Sequence, residues 1–252
     1  MVDVFGLKSM SEAGKTIIEK GLCGIETFLQ LTCVPVLEEL GLMARDKIRN
    51  WRLCNIIKII EKAKGKLEYD GNELQLTANA RVGLQIVEYG SLTDNDVLQE
   101  MWAGLFVSSC SEEETDDVNL TYVYLLNQLT VNQAKLIRSL CKNCKPVKFD
   151  NGSVGVCKQV YSVDKLLNMG EYKDFHVLDR DVDYLENIGL INGGINAQDF
   201  QHCKIYPTTL CLNLFVTCES KNKTICNFWD KYITEDEYMQ NSELRPPVYL
   251  TN

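Results

Sequence analysis

The chain has 252 residues, 45% of them apolar and 24% charged, with a net charge of −9 at pH 7. That length holds one large domain or two small ones with a proper core. The acidic balance argues against a general nucleic-acid-binding protein, because neutralising phosphates takes net positive surface. Charge is uneven, however. Residues 45–66 carry Arg45, Lys47, Arg49, Arg52, Lys58, Lys62, Lys64 and Lys66 against Asp46 and Glu61, a net +6, which leaves −15 for the remainder. Such asymmetry marks a partner surface, or one part of the chain docking on another.

Met1 to Lys20 interrupts its apolar residues with Asp3, Lys8, Glu12, Lys15 and Glu19. That is no export signal, so a cytoplasmic location with reduced thiols is expected. An odd count of eleven cysteines suits free thiols. Those on apolar stretches, Cys54, Cys141 and Cys211 among them, read as small core hydrophobes. Ser11 caps a helix running to about Leu31, and Pro35 sits early in the next. Glu19, Lys20, Glu26, Glu38 and Glu39 interrupt residues 16–43 too often for a membrane span. Two readings of residues 11–43 stay open: core helices, or helices lying on a membrane surface.

Val36 to Lys66 reads as helix, with a break at Gly41. Ile48, Trp51, Ile56, Ile57, Ile59 and Ile60 spread apolar groups around it, so burial on more than one side is expected. Tyr69 to Asn72 is a turn. Helix returns at Asn79 to Tyr89, with Gly90 as a left-handed stop. Thr93 is expected to cap the next helix, which turns Val97, Met101, Trp102, Leu105 and Val107 inward. Ser111 to Val118 is an acidic, solvated loop. Helices follow at Leu120 to Leu129 and, capped by Thr130, at Val131 to Lys142.

The texture changes after Pro146. Asp150 to Ser153 is a turn flanked by Val147, Phe149, Val154 and Val156, the pattern of a small hairpin. Val163 to Met169 is helical. Asp179 caps Val182 to Asn187, Gly189 stops that helix, and Leu190–Ile191 and Gly193–Gly194 form an extended piece and a turn. Pro207 opens a final helix to about Val216. Three helices and a β-wing outline a winged helix. The fold class is therefore mainly α: an N-terminal helical bundle at 1–129, a winged-helix-like α+β half with a small β-hairpin at 130–240, and a loose tail at 241–252.

Catalytic signatures are absent. There is no phosphate-binding Gly-rich loop, no H-E-x-x-H and no G-x-S-x-G. His176 and His202 are the two histidines and lie in no recognisable motif. Cys141 and Cys144 form a C-x-x-C without a well-spaced second pair, so neither zinc nor another cofactor is expected. The chain is read as a non-enzyme with no catalytic residues. The basic helix is the site candidate. Arg45, Arg49 and Arg52 fall on one stripe and Lys58 and Lys62 on another, and arginines in a row suit phosphates or a protein partner. The expected recognition helix, by contrast, carries Asp179, Asp181, Asp183 and Glu186 against Arg180 and would repel phosphates. A protein-contact or core-building role fits it better.

Three segments together resemble the abortive-infection alpha family of bacteria. The first is Glu39 to Lys64, with its acidic-Leu-Gly start and Arg-x-x-Asn helix. The second is L-Q-E-M-W-A-G-L-F-V-S-S, with Leu98, Trp102, Ala103 and Leu105, followed by Y-L-L-N-Q-L-T-V-N-Q-A-K-L-I-R-S-L. The third is Y-L-E-N-I-G-L-I with Y-P-T-T-L-C-L-N-L-F-V-T-C. Together they span about 36–218. Asn119-Leu120 stands where similar proteins usually have His-Pro, and Leu212-Asn213 where a glycine is usual. The resemblance implies a role in defence against phage and no catalytic residues. The expectation is a non-catalytic defence component whose partner is a phage protein, a sister defence protein or, through the basic helix, nucleic acid. A membrane-acting effector using residues 11–43 is the alternative.

Overall fold

Capping residues and aliphatic stripes resolve into a mainly helical chain with a few short strands. The computed structural model describes residues 46–69, 77–111, 117–196, 198–219 and 224–241. Of the expected turn at Tyr69–Asn72 only Tyr69 is described, and it is helical; the expected helices at 11–43, most of the acidic loop and the tail beyond Asn241 lie outside the described residues. The chain forms two compact units that divide between Gln128 and Leu129, with Cys218 counted to the first.

The first unit is built on α1 (Asp46–Tyr69), α2 (Ala80–Gly90), α3 (Asp96–Ser108) and α4 (Leu120–Asn127). Two-residue strands β1 (Thr77–Ala78) and β2 (Cys110–Ser111) pair antiparallel. In α1, Leu53, Ile56, Ile57, Ile59, Ile60 and Ala63 are buried, one wide stripe at helical spacing. The helix pairs mainly with α3, which also packs on α2 and α4. Helix α3 is buried at every position from Met101 to Val107. Each buried Leu or Ile contributes about 1.5–3 kcal/mol before conformational entropy is subtracted.

Several local expectations are corrected here. Asn95, not Thr93, caps α3: its side chain accepts from the Val97 and Leu98 amides at 3.0 and 3.4 Å. Thr93 supports that cap, its hydroxyl accepting from the Asn95 amide at 3.4 Å. Gly90 is the last residue of α2 and the chain continues right-handed at Ser91 (φ −63°). Its missing side chain serves packing instead, because a Cβ there would stand 3.1 Å from Ile59 and 3.5 Å from Trp102. Val97 is only half-buried, and Cys54 faces solvent. Asn119 is buried and donates to Ser109 Oγ at 2.9 Å and the Ser108 carbonyl at 3.2 Å. It satisfies the end of α3.

The second unit begins with α5 (Val131–Lys142), capped as expected by Thr130 in a reciprocal box with Gln133. The expected hairpin is β3 (Pro146–Lys148) against β4 (Val154–Val156), and β9 (Ile233–Thr234) adds parallel to β3. Strand β5 (Val160–Tyr161) precedes α6 (Val163–Gly170) and α7 (Phe175–Asn187). Then come β6 (Ile191–Asn192), β7 (Cys203–Lys204), β8 (Tyr206–Pro207), α8 (Thr209–Glu219) and, after β9, α9 (Glu235–Gln240). Strand β5 pairs antiparallel with β7, and β6 with β8, so residues 203–207 bond to both.

Helix α7 starts earlier than Asp179. Asp174 caps it, accepting from the His176 and Val177 amides at 2.7 and 3.3 Å, and the core residue Leu178 lies in its first turns. Pro207 belongs to β8, where Ile191 opposes it. Helix α8 begins two residues later, with Thr208 Oγ1 accepting from the Cys211 amide at 3.1 Å. Nor is α8 the last helix, since α9 follows on its own capping box at Thr234 and Glu237. Gly193 adopts φ +85°, and a Cβ there would stand 1.9 Å from the Lys204 carbonyl oxygen, so this turn requires glycine.

Gly104 yields a direct test. An added Cβ would lie 1.5 Å from the Cys218 carbonyl oxygen, a backbone atom that cannot rotate away. Gly104→Ala is expected to destabilise the first unit by about 3 kcal/mol or more, read as the shift of a urea denaturation midpoint.

Candidate functional site

The five basic residues singled out in α1 and before it do not share one environment. Arg45 precedes the described residues, and for Arg49 only the helical backbone is described. Arg52 is half-buried, its Nε donating to Ser91 Oγ at 2.8 Å and its Nη2 to the Glu88 carbonyl at 3.1 Å. Burial lowers its pKa, with Glu88 acting against that. Lys62 Nζ donates to Asp96 at 2.7 Å and Glu100 at 2.6 Å. Burial alone would lower the Lys62 ammonium, but these two carboxylates outweigh it and hold its pKa above the ordinary lysine value. Lys66 adds a second cation 3.6 Å from Glu100. Lys58 is exposed. Arg52 and Lys62 therefore tie α1 to α2 and α3, and the lysine stripe is divided between an inward and an outward member.

In the second unit the charges on α7 divide in the same manner. Asp181 is only 2% exposed and faces the core beside Leu178, Val182 and Leu185. It accepts from Tyr172 Oη at 3.1 Å and from Arg180 Nε and Nη2 at 3.1 and 2.8 Å. Burial first, and Asp181 second, push the Tyr172 hydroxyl well above the usual tyrosine range. The sequence reading counted Asp181 among the outward carboxylates; the structure corrects that. Helical spacing carried the signal, because residue 181 falls on the stripe of 178, 182 and 185. Asp183 and Glu186 do face solvent, Asp179 is half-buried, and Arg180 is engaged with Asp181. The outward face of α7 is therefore acidic.

Gly193 meets the end of that helix and Phe200 meets its start. Glu186 Oε1 accepts from the Gly193 amide at 3.2 Å. The rings of Phe200 and Phe175 are 5.2 Å apart, and Phe175 meets His176 edge-on at 5.5 Å. His202 Nδ1 lies 2.9 Å from an Asp199 carboxylate oxygen, with both side chains exposed. The two histidines thus stand at the surface of this region. Sequence reasoning overlooked the aromatic pair, because Phe175 lay outside the expected helix and Phe200 in an unassigned loop.

The second unit also has an open cleft and a group of buried thiols. An open cleft of about 570 Å³ is lined by residues including Val156, Asn192, Tyr206, Thr208 and Thr209, and none of its lining carries a carboxylate, imidazole, thiol or amine. The C-x-x-C residues are buried, with Cys141 Sγ 3.6 Å from Cys211 Sγ. Burial first, then neighbouring Cys211 and Cys157, push the Cys144 thiol up to about 12. Tyr161, bonded to Gln159, is likewise pushed up to about 12, by burial and then by Cys144 and Cys141. Such thiols are neutral and unreactive near pH 7. Among the described residues no three metal-binding side chains are grouped to hold an ion, and no helix is long and apolar enough to cross a membrane.

These features define a mainly helical protein of two units, with acidic and aromatic groups at the surface of the second. The chain belongs to the abortive infection alpha family, whose sequence profile matches residues 52–207, more than half of its length. Membership associates it with abortive infection. No curated protein and no solved structure matches it significantly.

Two outcomes follow from the charge and thiol geometry. Lys62→Met is expected to cost about 1 kcal/mol at low salt and less at high salt, whereas Lys58→Met should stay within about 0.5 kcal/mol. Chemical denaturation at two ionic strengths separates them. For Cys144 and Tyr161 a raised folded pKa keeps their contribution whole below the unfolded values of 9.0 and 10.0 and loses it as pH climbs towards about 12. Stability should therefore fall from about pH 9 to about pH 12, and Cys144→Ala should make that fall shallower without moving its onset, because burial raises the Cys157 thiol as well. A flat profile over that window would contradict the burial assigned to both groups.

Proposed function

We propose that this chain is a non-catalytic component of a bacterial abortive-infection defence system, working in the cytoplasm by binding another protein through its second unit. Family membership supports the defence role. The order α5, β5, α6, α7, β6, then β7 and β8, with 203–207 bonded to both β5 and β6, supports a winged-helix-like second half. In that reading α7 takes the place of the recognition helix.

The single observation that carries a protein partner is the electrostatics of α7. Its outward carboxylates Asp183 and Glu186 have no compensating free arginine, because Arg180 is bonded to the buried Asp181. A phosphate backbone would be repelled there. The basic helix offers less to nucleic acid than its composition implies, since Arg52 and Lys62 are occupied by Ser91, Glu88, Asp96 and Glu100.

The test is a phage challenge of bacteria expressing the chain from its native locus. The variant Asp183→Arg is expected to lose protection while its thermal unfolding and expression stay close to wild type, because this position is exposed. Nucleotide or nucleic-acid hydrolysis by the purified protein, abolished by one acidic or histidine substitution, would overturn the non-catalytic reading.

A further inference from the structure

We propose that the outward stripe of α1 pairs antiparallel with the same stripe of a second copy of the chain, forming a weak symmetric dimer. This contact lies in the first unit and is independent of the partner proposed for α7.

Among the described side chains of α1, those of Trp51, Cys54, Lys58 and Glu61 are exposed, and Gly65 is exposed with them. Their spacing of three, four, three and four residues sets them on one straight seam, the repeat by which two helices pair. Two of the five fit poorly on a solvated face. Trp51 is 39% exposed, although burial of an indole is strongly favourable. Gly65 stands inside the helix, where glycine is less stable than alanine. No described atom from the rest of the chain comes within 4 Å of an added Cβ there, so packing inside the subunit does not require glycine. Close approach by a second helix does.

Charge sets the occupant and its direction. Lys58 and Glu61 carry opposite signs, and neither enters an ion pair among the described residues. Arg52, Lys62 and Lys66 border the stripe but are engaged with Ser91, Glu88, Asp96 and Glu100. In a parallel pair, Lys58 would oppose Lys58 and Glu61 would oppose Glu61. Turned antiparallel, with Lys58 opposite Glu61 of the second copy, two symmetric lysine–glutamate pairs form at the centre. That register sets Cys54 opposite Gly65 and carries Trp51 one turn beyond it, over the surface the glycine leaves open. In sequence the same spacing continues to Lys47 before the seam and Glu68 after it, so cations hold its first half and carboxylates its second. A seam complementary to itself only when reversed fits a second copy, which supplies both halves. Its small extent implies a Kd on the order of 10–100 µM.

Sedimentation equilibrium of the full-length protein from about 5 to about 500 µM reads the contact, and the mass is expected to climb from one chain towards two. Lys58→Glu and Glu61→Lys should each weaken association about tenfold, because one reversal acts twice across a two-fold axis. The double variant Lys58→Glu with Glu61→Lys should return to within about threefold of wild type, and so should an equimolar mixture of the two single variants. Such recovery excludes misfolding as the cause of either loss. Trp51→Ser should weaken association about tenfold. Association that neither reversal changes would overturn the proposal, as would losses that both the double variant and the mixture fail to restore. A single chain at every concentration would overturn it too, and Trp51→Ser lowering the melting temperature of that single chain would assign cover of the stripe to the chain itself.

Discussion

The burial of α3 on nearly every side constrains the first unit more than any other single feature. From Met101 to Val107 no face of the helix is left for solvent, so α1, α2 and α4 are all required to cover it. Close approach is made possible by residues without bulk. Gly90 lets Ile59 and Trp102 meet the end of α2, and Gly104 admits a backbone carbonyl against the helix itself. Interiors packed at crystal-like density tolerate neither a void nor an extra methyl at such points. The W-A-G-L-F signature is therefore a packing signature, and its chemistry is steric.

Polar groups are used in both units to satisfy what packing leaves over. Asn119 completes the end of α3, and Asn55 donates to the Ser91 carbonyl from a buried position. In the second unit Asn132 donates to the Gly170 carbonyl at 2.7 Å, joining α5 to the end of α6. Asp181 gathers Tyr172 and Arg180. A buried carboxylate is costly unless paired and hydrogen-bonded, and this one has three donors. These ties decide which charges are free to act at the surface, and so which partners the molecule can meet.

That distribution of charge is the link from structure to function. Composition alone places the positive potential on α1 and the negative potential elsewhere. Pairing changes the effective picture, because two of the basic groups are absorbed within their own unit while the outward face of α7 keeps its carboxylates. Under the proposed reading, the acidic outward face of α7 meets protein rather than phosphate. The buried Cys144 thiol, which burial pushes up to about 12, is neutral near pH 7.

Much of this was readable from residue order. The Thr130 cap, the Asp150–Ser153 hairpin turn, the helix at Val163 and the stop at Gly189 are local signals whose cause lies within a few residues, and each stands where the chain announced it. The family signature in 96–140 is equally local. What the sequence could not determine were outcomes settled between distant residues. Asp174 caps α7 five residues before Asp179, and Phe175, its first residue, stacks on Phe200. Lys62 and Arg52 found partners 34 to 39 residues away, and Phe200 found Phe175 across 25 residues of chain. Propensity and periodicity fix which residues want burial or a cap; only the folded chain decides which charge is neutralised and which is left facing water, because that depends on distances no linear spacing contains.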